Sequence, residues 1–116
     1  MRAIRGAITV ENNTEEAIER ATCELLRELA RRNKLGNHEI VSVLFTLTPD
    51  LNAAFPARAA RHMGWDVPML DMQEIAVPDA IPRCLRTLIH VNRRDPVRHV
   101  YLGEAMSLRP DLGEDV

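Results

Sequence analysis

The chain has 116 residues, of which 46% are hydrophobic and 28% charged, and a formal net charge of −2; this suits one domain with one core and is far from a disordered or membrane composition. Acidic and basic residues are mixed along the chain and 3% of residues are aromatic, so there is neither the basic field nor the stacking surface that nucleic-acid binding needs, and no run approaches the ~20 apolar residues of a membrane span. The opening MRAIRGAITV lacks a signal peptide's apolar stretch, and Cys23 and Cys84 stand apart without metal-ligand spacing, so the expectation is a cytoplasmic protein with free thiols and no metal site.

Residues 2–10 read as a strand, with Ile4, Ile8 and Val10 on one side and Ala3, Arg5, Ala7 and Thr9 on the other, at the period of two set by the pleat. Thr14 followed by Glu15 and Glu16 is a helix start, a hydroxyl cap with acids at the positive end of the dipole. Ile18, Ala21, Leu25 and Leu29 mark the apolar face of that helix. Arg27, Arg31, Arg32 and Lys34 lie near its end, and Gly36 is expected to take the positive φ just beyond it. EIVSVLFTL at 39–47 reads as a strand covered on both faces, central to a sheet. TPD at 48–50 ends it. A second helix is expected from about Pro56 to Gly64, with Phe55 at its entrance. WDVPML leads into a short strand before DMQEIAVPDAIP, read as an irregular connection marked by Pro78 and Pro82. RCLRTLIHV at 83–91 is the next strand, 92–97 a polar turn and 98–102 a last short strand before the tail. The order β-α-β-α-β-β-β predicts an α/β (α+β) fold, a mixed sheet with two main helices on one face and the other face left for water or another subunit.

Three arginines interrupt apolar settings: Arg5, Arg86 and Arg109. A strand arginine ordinarily lies on a solvated face, but Arg86 shares its face with Cys84 and Leu88, and a buried guanidinium needs a partner or an anionic ligand. Glu74 is a candidate partner. Asp71 and Glu74 read either as an acid/base couple or as loop-stabilising carboxylates. No histidine sits near a nucleophile pattern, and there is no glycine-rich phosphate loop. The residues alone thus describe a small, oligomeric α/β protein with arginines suited to an anionic small molecule, and no reaction.

Four stretches together, "IRGAITVENNTEEAI", "TPDLNAAFPARAAR", "GWDVPMLDMQEI" and "RHVYLGEAMSLRPDL", resemble the monofunctional chorismate mutases of the AroH class, nearly end to end. The resemblance implies a homotrimeric pseudo α/β barrel with active sites between neighbouring subunits. It also implies the Claisen rearrangement of chorismate to prephenate on the route to phenylalanine and tyrosine, without cofactor, metal or covalent intermediate. By the same resemblance Arg5 binds a substrate carboxylate and Tyr101 hydrogen-bonds it. Arg86 stands beside the breaking ether bond, and Glu74 accepts from the ring hydroxyl. Phe55 and Ala57 resemble cleft walls supplied across the interface, Arg58 and Arg61 the basic positions near its mouth, and Leu108 and Arg109 the tail residues over the ligand. Arg58 stands where many members have lysine, and Asp71 where many have cysteine near the substrate hydroxyl. The implied layout is one domain, 1–116, whose tail, 108–116, is able to move.

Two other readings stand beside it. An imine-deaminase-like enzyme of similar architecture explains an arginine in a cleft but not Glu74, Tyr101 and the tail motif together. A catalytically silent trimer that binds a small acid predicts loss of the ether-facing cation, whereas Arg86 is present.

Overall fold

Arg2–Thr9 form strand β1, Glu15–Asn33 helix α1, Ile40–Leu47 β2, Pro56–His62 α2, Met69–Gln73 β3, Cys84–Val91 β4 and Val100–Leu102 β5, in a computed structural model that describes residues 1–108. The strands make one sheet in the order β3-β2-β4-β1-β5. It is mixed, as the element order predicts: β1 with β5 and β2 with β3 are parallel, and β4 runs antiparallel to both neighbours. Among the described residues no helix is long and apolar enough to cross a membrane.

Pleating turns Ile4, Gly6 and Ile8 of β1 toward α1. A Cβ at Gly6 would lie 2.8 Å from Leu29 Cδ1 and 3.2 Å from Leu25 Cδ1, so glycine is what lets the helix lie directly on this strand. Ile18, Leu25 and Leu29 of α1 meet Val43, Phe45 and Ile89 in a fully buried layer, each such side chain contributing roughly 1.5–3 kcal/mol by leaving water. The Thr14 hydroxyl accepts from Ala17 N–H at 3.1 Å, as expected for the helix cap. Pro56 sits in the first turn of α2 with Phe55 immediately before it, and Gly64, at φ 96°, follows its end.

Two local expectations are corrected. The left-handed residue after α1 is Lys34, at φ 49°, while Gly36 is extended at φ −99°. The reversal falls directly after Asn33: Leu35 N–H returns to Ala30 O at 3.0 Å, and Arg93 Nη1 donates to Asn33 O at 2.8 Å. These bonds offset the roughly 1–2 kcal/mol that a left-handed non-glycine residue costs. The exposed His38 ring lies against Gly36, where a Cβ would come within 2.6 Å of it. Second, β3 runs on through Asp71, Met72 and Gln73, because its ladder with β2 continues to Leu47. Within one chain β2 is covered on its helix face, and Ser42, Leu44 and Thr46 on the other face are half-exposed. Gly103–Leu108, where the tail begins, is a 3₁₀ helix.

The α1 end is also tied by charge. Arg93 Nε donates to Glu39 Oε1 at 2.7 Å and Arg93 Nη2 to Glu39 Oε2 at 2.9 Å, while Gly36 N–H donates to the same carboxylate. The Arg93 guanidinium, with help from Gly36, holds Glu39 well below its ordinary value of 4.5, down to about 2. A carboxylate lowered on folding adds stability that is fully present above its unfolded pKa and disappears as pH falls through the folded one. Urea unfolding is therefore expected to show stability declining between about pH 4.5 and pH 2, and Arg93→Gln to be less stable at pH 7 with a shallower decline in that window. An unchanged acid limb in Arg93→Gln would remove this pair from the account.

Candidate active site

Register places the chemistry on the sheet face away from the helices. Tyr101, Ala7, Arg86, Thr46 and Met72 form one row across all five strands, and Arg5, Leu88, Leu44 and Leu70 the row beside it. With strands about 4.8 Å apart, Tyr101 and Arg86 stand about 10 Å from each other across β1. Ala7 between them is the smallest side chain that keeps L-residue geometry, so it leaves room over the floor of the row.

Glu74 follows β3 directly. Its N–H donates to Leu47 O at 2.8 Å, extending the ladder by one residue and turning its side chain to the open face. There Oε2 accepts from Thr46 Oγ1 at 2.6 Å and lies 3.2 Å from Arg86 Nε. The anticipated Arg86–Glu74 pair is present, with side chains 38% and 18% exposed. Its geometry is incomplete: Arg86 Nε is buried, yet its N–H makes no hydrogen bond among the described residues. Buried donors are normally satisfied, and one that is not marks a place for an acceptor from outside the chain.

The start of β4, and so Arg86, is held by the TPD stretch. Thr48 Oγ1 accepts from Cys84 N–H at 2.9 Å, and both Asp50 oxygens accept from Arg83 N–H, at 2.9 and 3.1 Å. Arg83 itself is left-handed at φ 46°, which the carboxylate contacts make tolerable. Thr48, Asp50, Glu74, Ile81 and Arg86 line a cleft of about 250 Å³. Burial pushes the Cys84 thiol up despite the Arg86 charge beside it, so it stays a neutral thiol at pH 7 rather than a nucleophile.

On the other flank, Tyr101 is 5% exposed and packs with Ala7, Cys84 and Ala105, with Leu108 half-buried against the same group. The 3₁₀ helix is docked by Glu104 N–H donating to Thr9 Oγ1 at 3.0 Å. Arg5 is exposed, and its N–H donates to His99 Nδ1 at 2.9 Å. The approach to β5 is clamped by the buried Asn33 amide, which donates to Arg98 O at 2.9 Å and accepts from Arg98 N–H at 2.7 Å.

The remaining candidates lie on the helix side of the same chain. Asp71 Oδ1 accepts from Ala57 N–H at 2.9 Å. Burial pushes the Asp71 carboxyl up, against the opposing effects of that N–H and of Arg61. Leu51, Phe55, Arg58 and Asp71 line a groove of about 370 Å³ with Glu15 and Glu19. Ala57 is buried, whereas Phe55, Arg58 and Arg61 are exposed. Asp71 and Glu74 are therefore no acid/base couple within one chain: an odd spacing along extended backbone sends them to opposite sides of the sheet. Arg109 lies outside the described residues.

Sequence reasoning missed Thr46, Thr48, Asp50, Asn33 and His99 as supports of the site. The only available signal was TPD, which reads as a strand terminator; side chains that bond across the sheet leave no local periodicity. Among the described residues no group of three or more His, Cys, Asp or Glu side chains gathers to hold a metal ion. What the arrangement offers is a guanidinium beside a carboxylate on an open face, with a buried tyrosine in the same row.

Residues 1–112 match the family described as chorismate mutase type I. The chain is 50% identical to chorismate mutase AroH of Thermus thermophilus over 117 aligned positions, covering 97% of this chain and 96% of that one. It is 43% identical to chorismate mutase AroH of Bacillus subtilis (strain 168), with 97% and 92% covered. Its fold is similar to the solved chorismate mutase from Clostridium thermocellum, with a TM-score of 0.90 and 45% identity over 92% of this chain and 99% of the other.

Proposed function

The chain belongs to the type I chorismate mutases and is a chorismate mutase, an isomerase, and from that premise we propose how its own residues carry out the rearrangement of chorismate to prephenate. The reaction is unimolecular: one ether C–O bond breaks as one C–C bond forms, with no proton carrier. Catalysis then consists of holding the reactive diaxial conformer and stabilising the charge that grows on the departing oxygen. Arg86 supplies the positive charge that meets it, and the buried Nε–H that makes no hydrogen bond among the described residues is the observation that carries the assignment. Glu74 accepts from the ring hydroxyl. Arg5 and Tyr101 receive a carboxylate of the dianion.

A second copy completes the cleft. Phe55 and Ala57 of a neighbour form its wall, Arg58 and Arg61 its basic mouth, and Asp71 belongs with them, while Leu108 and Arg109 cover the ligand. Two observations support a homotrimer of this kind: the two sets of residues lie on opposite sides of one chain, and Leu70 (62%), Ile75 (87%) and Phe55 (67%) are exposed in a single copy. Apolar exposure on this scale is what subunit contact removes. Residues 1–116 then form one catalytic domain, acting in the cytoplasm and needing no cofactor. The relatives favour neither the imine-deaminase-like reading nor the silent binder.

The test is direct. Purified protein mixed with chorismate is expected to abolish its ultraviolet absorbance, with prephenate identified by acid conversion to phenylpyruvate, and sedimentation is expected to give the mass of three chains. Chorismate that binds and persists would overturn the catalytic assignment, and an active single chain would overturn the shared cleft.

A further inference from the structure

We propose that Thr46 is a positioning residue for the rearrangement: by holding Glu74 Oε2 it keeps the carboxylate beside Arg86 without letting it capture the Nε–H, so that this donor stays available to substrate. The inference rests on the roles given above to Arg86 and Glu74.

Thr46 sits opposite Arg86 in the β2–β4 register and on the same face. The oxygen that accepts from Thr46 Oγ1 at 2.6 Å is the one 3.2 Å from Arg86 Nε. A buried guanidinium N–H beside a carboxylate ordinarily closes into a short charge-assisted bond of about 2.7–2.9 Å. The molecule contains such a pair: Arg93 meets Glu39 through two bonds, at 2.7 and 2.9 Å, and among the described residues no side-chain hydroxyl bonds that carboxylate. At Glu74 the hydroxyl engages Oε2 and fixes the plane of the carboxylate, and Arg86 Nε remains without a hydrogen bond among the described residues. Threonine suits this task because β-branching stiffens χ1, so the backbone of β2 sets the direction of the hydroxyl. Glu74 Oε1, which takes no bond from the described residues, is left to face the substrate hydroxyl.

Without Thr46 the carboxylate swings onto the Arg86 N–H, and both groups are withdrawn from the substrate together. Steady-state kinetics on Thr46→Val, Thr46→Ser, Glu74→Gln and the Thr46→Val/Glu74→Gln double variant tests this. Thr46→Val, nearly isosteric, is expected to lower kcat about tenfold, in line with one hydrogen bond to a charged group. Its KM should move less than about threefold because Arg5 and Tyr101 still hold the substrate, and Thr46→Ser should recover activity to within about threefold. In the Glu74→Gln background Thr46→Val should cost nothing further, since the group it positions has changed. Full activity in Thr46→Val, or the same fold-loss in both backgrounds, would overturn the positioning role. Full activity in Glu74→Gln would instead overturn the reading of Glu74 itself, a separate outcome. If Thr46→Val fails to fold, Thr46→Ala takes its place in the same cycle.

Discussion

Arg86→Ala is expected to lower kcat by at least about a hundredfold, because one preorganised donor at a developing oxyanion is worth about 3–4 kcal/mol. A millionfold acceleration corresponds to about 8 kcal/mol, so in the proposed role this single cation would account for around half of such an enhancement. The loss should fall on kcat more than on KM, since the charge it meets is larger in the transition state than in the ground state. The fold should survive: the Arg86 side chain is 38% exposed, and Glu74 keeps its bonds to Thr46 and to Leu47 O. Arg86→Lys retains charge but loses the planar fork and the Nε–H set into the face, so strong damage is expected there too. Stopped-flow or steady-state loss of chorismate absorbance reads both variants, and an alanine variant that keeps most of its turnover would end the assignment.

Two nearly inactive variants are expected to restore activity to each other. In the proposed shared cleft, Arg86 would come from one copy and Arg58 and Arg61 from its neighbour, so a site would be damaged by either Arg86→Ala or the pair Arg58→Ala and Arg61→Ala. In the proposed trimer, any assembly of both kinds of chain would have one interface of three that joins an intact open face to an intact α2. Random assembly from equal amounts, after joint unfolding and refolding, should therefore recover about a quarter of the wild-type specific activity. Each variant refolded alone should remain near its own low value. If the mixture is no more active than the mean of its components, the site is built within one chain and the division between the two sides of the sheet has another meaning.

Much of this molecule could be read along the chain. The pleat periodicity of β1, the Thr14 cap, the entry of α2 at Pro56 and the pairing of Arg86 with Glu74 are all expressed in residues close in sequence or in strongly typed positions. Helices on one face followed from counting, because two helices cannot cover both faces of a sheet. The left-handed residue after α1 was misplaced because the rule points to the nearest glycine. Arg93 and Asn33, bonded from opposite ends of the fold, make Lys34 tolerable there. The extent of β3 was likewise hidden, since a polar segment such as DMQ becomes strand only when β2 offers it a ladder.

By itself the sequence determined which groups are available: a guanidinium, a carboxylate, a phenol and a second arginine, carried on or beside elements whose type and order local propensity sets. Only the tertiary structure decided how those groups meet. Arg86, Tyr101 and Thr46 come from three strands far apart in sequence, and they share one row because backbone hydrogen bonds set the register between β5, β1, β4 and β2. The same pleat sends Asp71 to the helices and Glu74 to the open face. A hydroxyl that reads as ordinary strand composition, that of Thr46, comes to bond Glu74 for this reason: register and pleat are long-range properties, set when strands pair and invisible in any one of them.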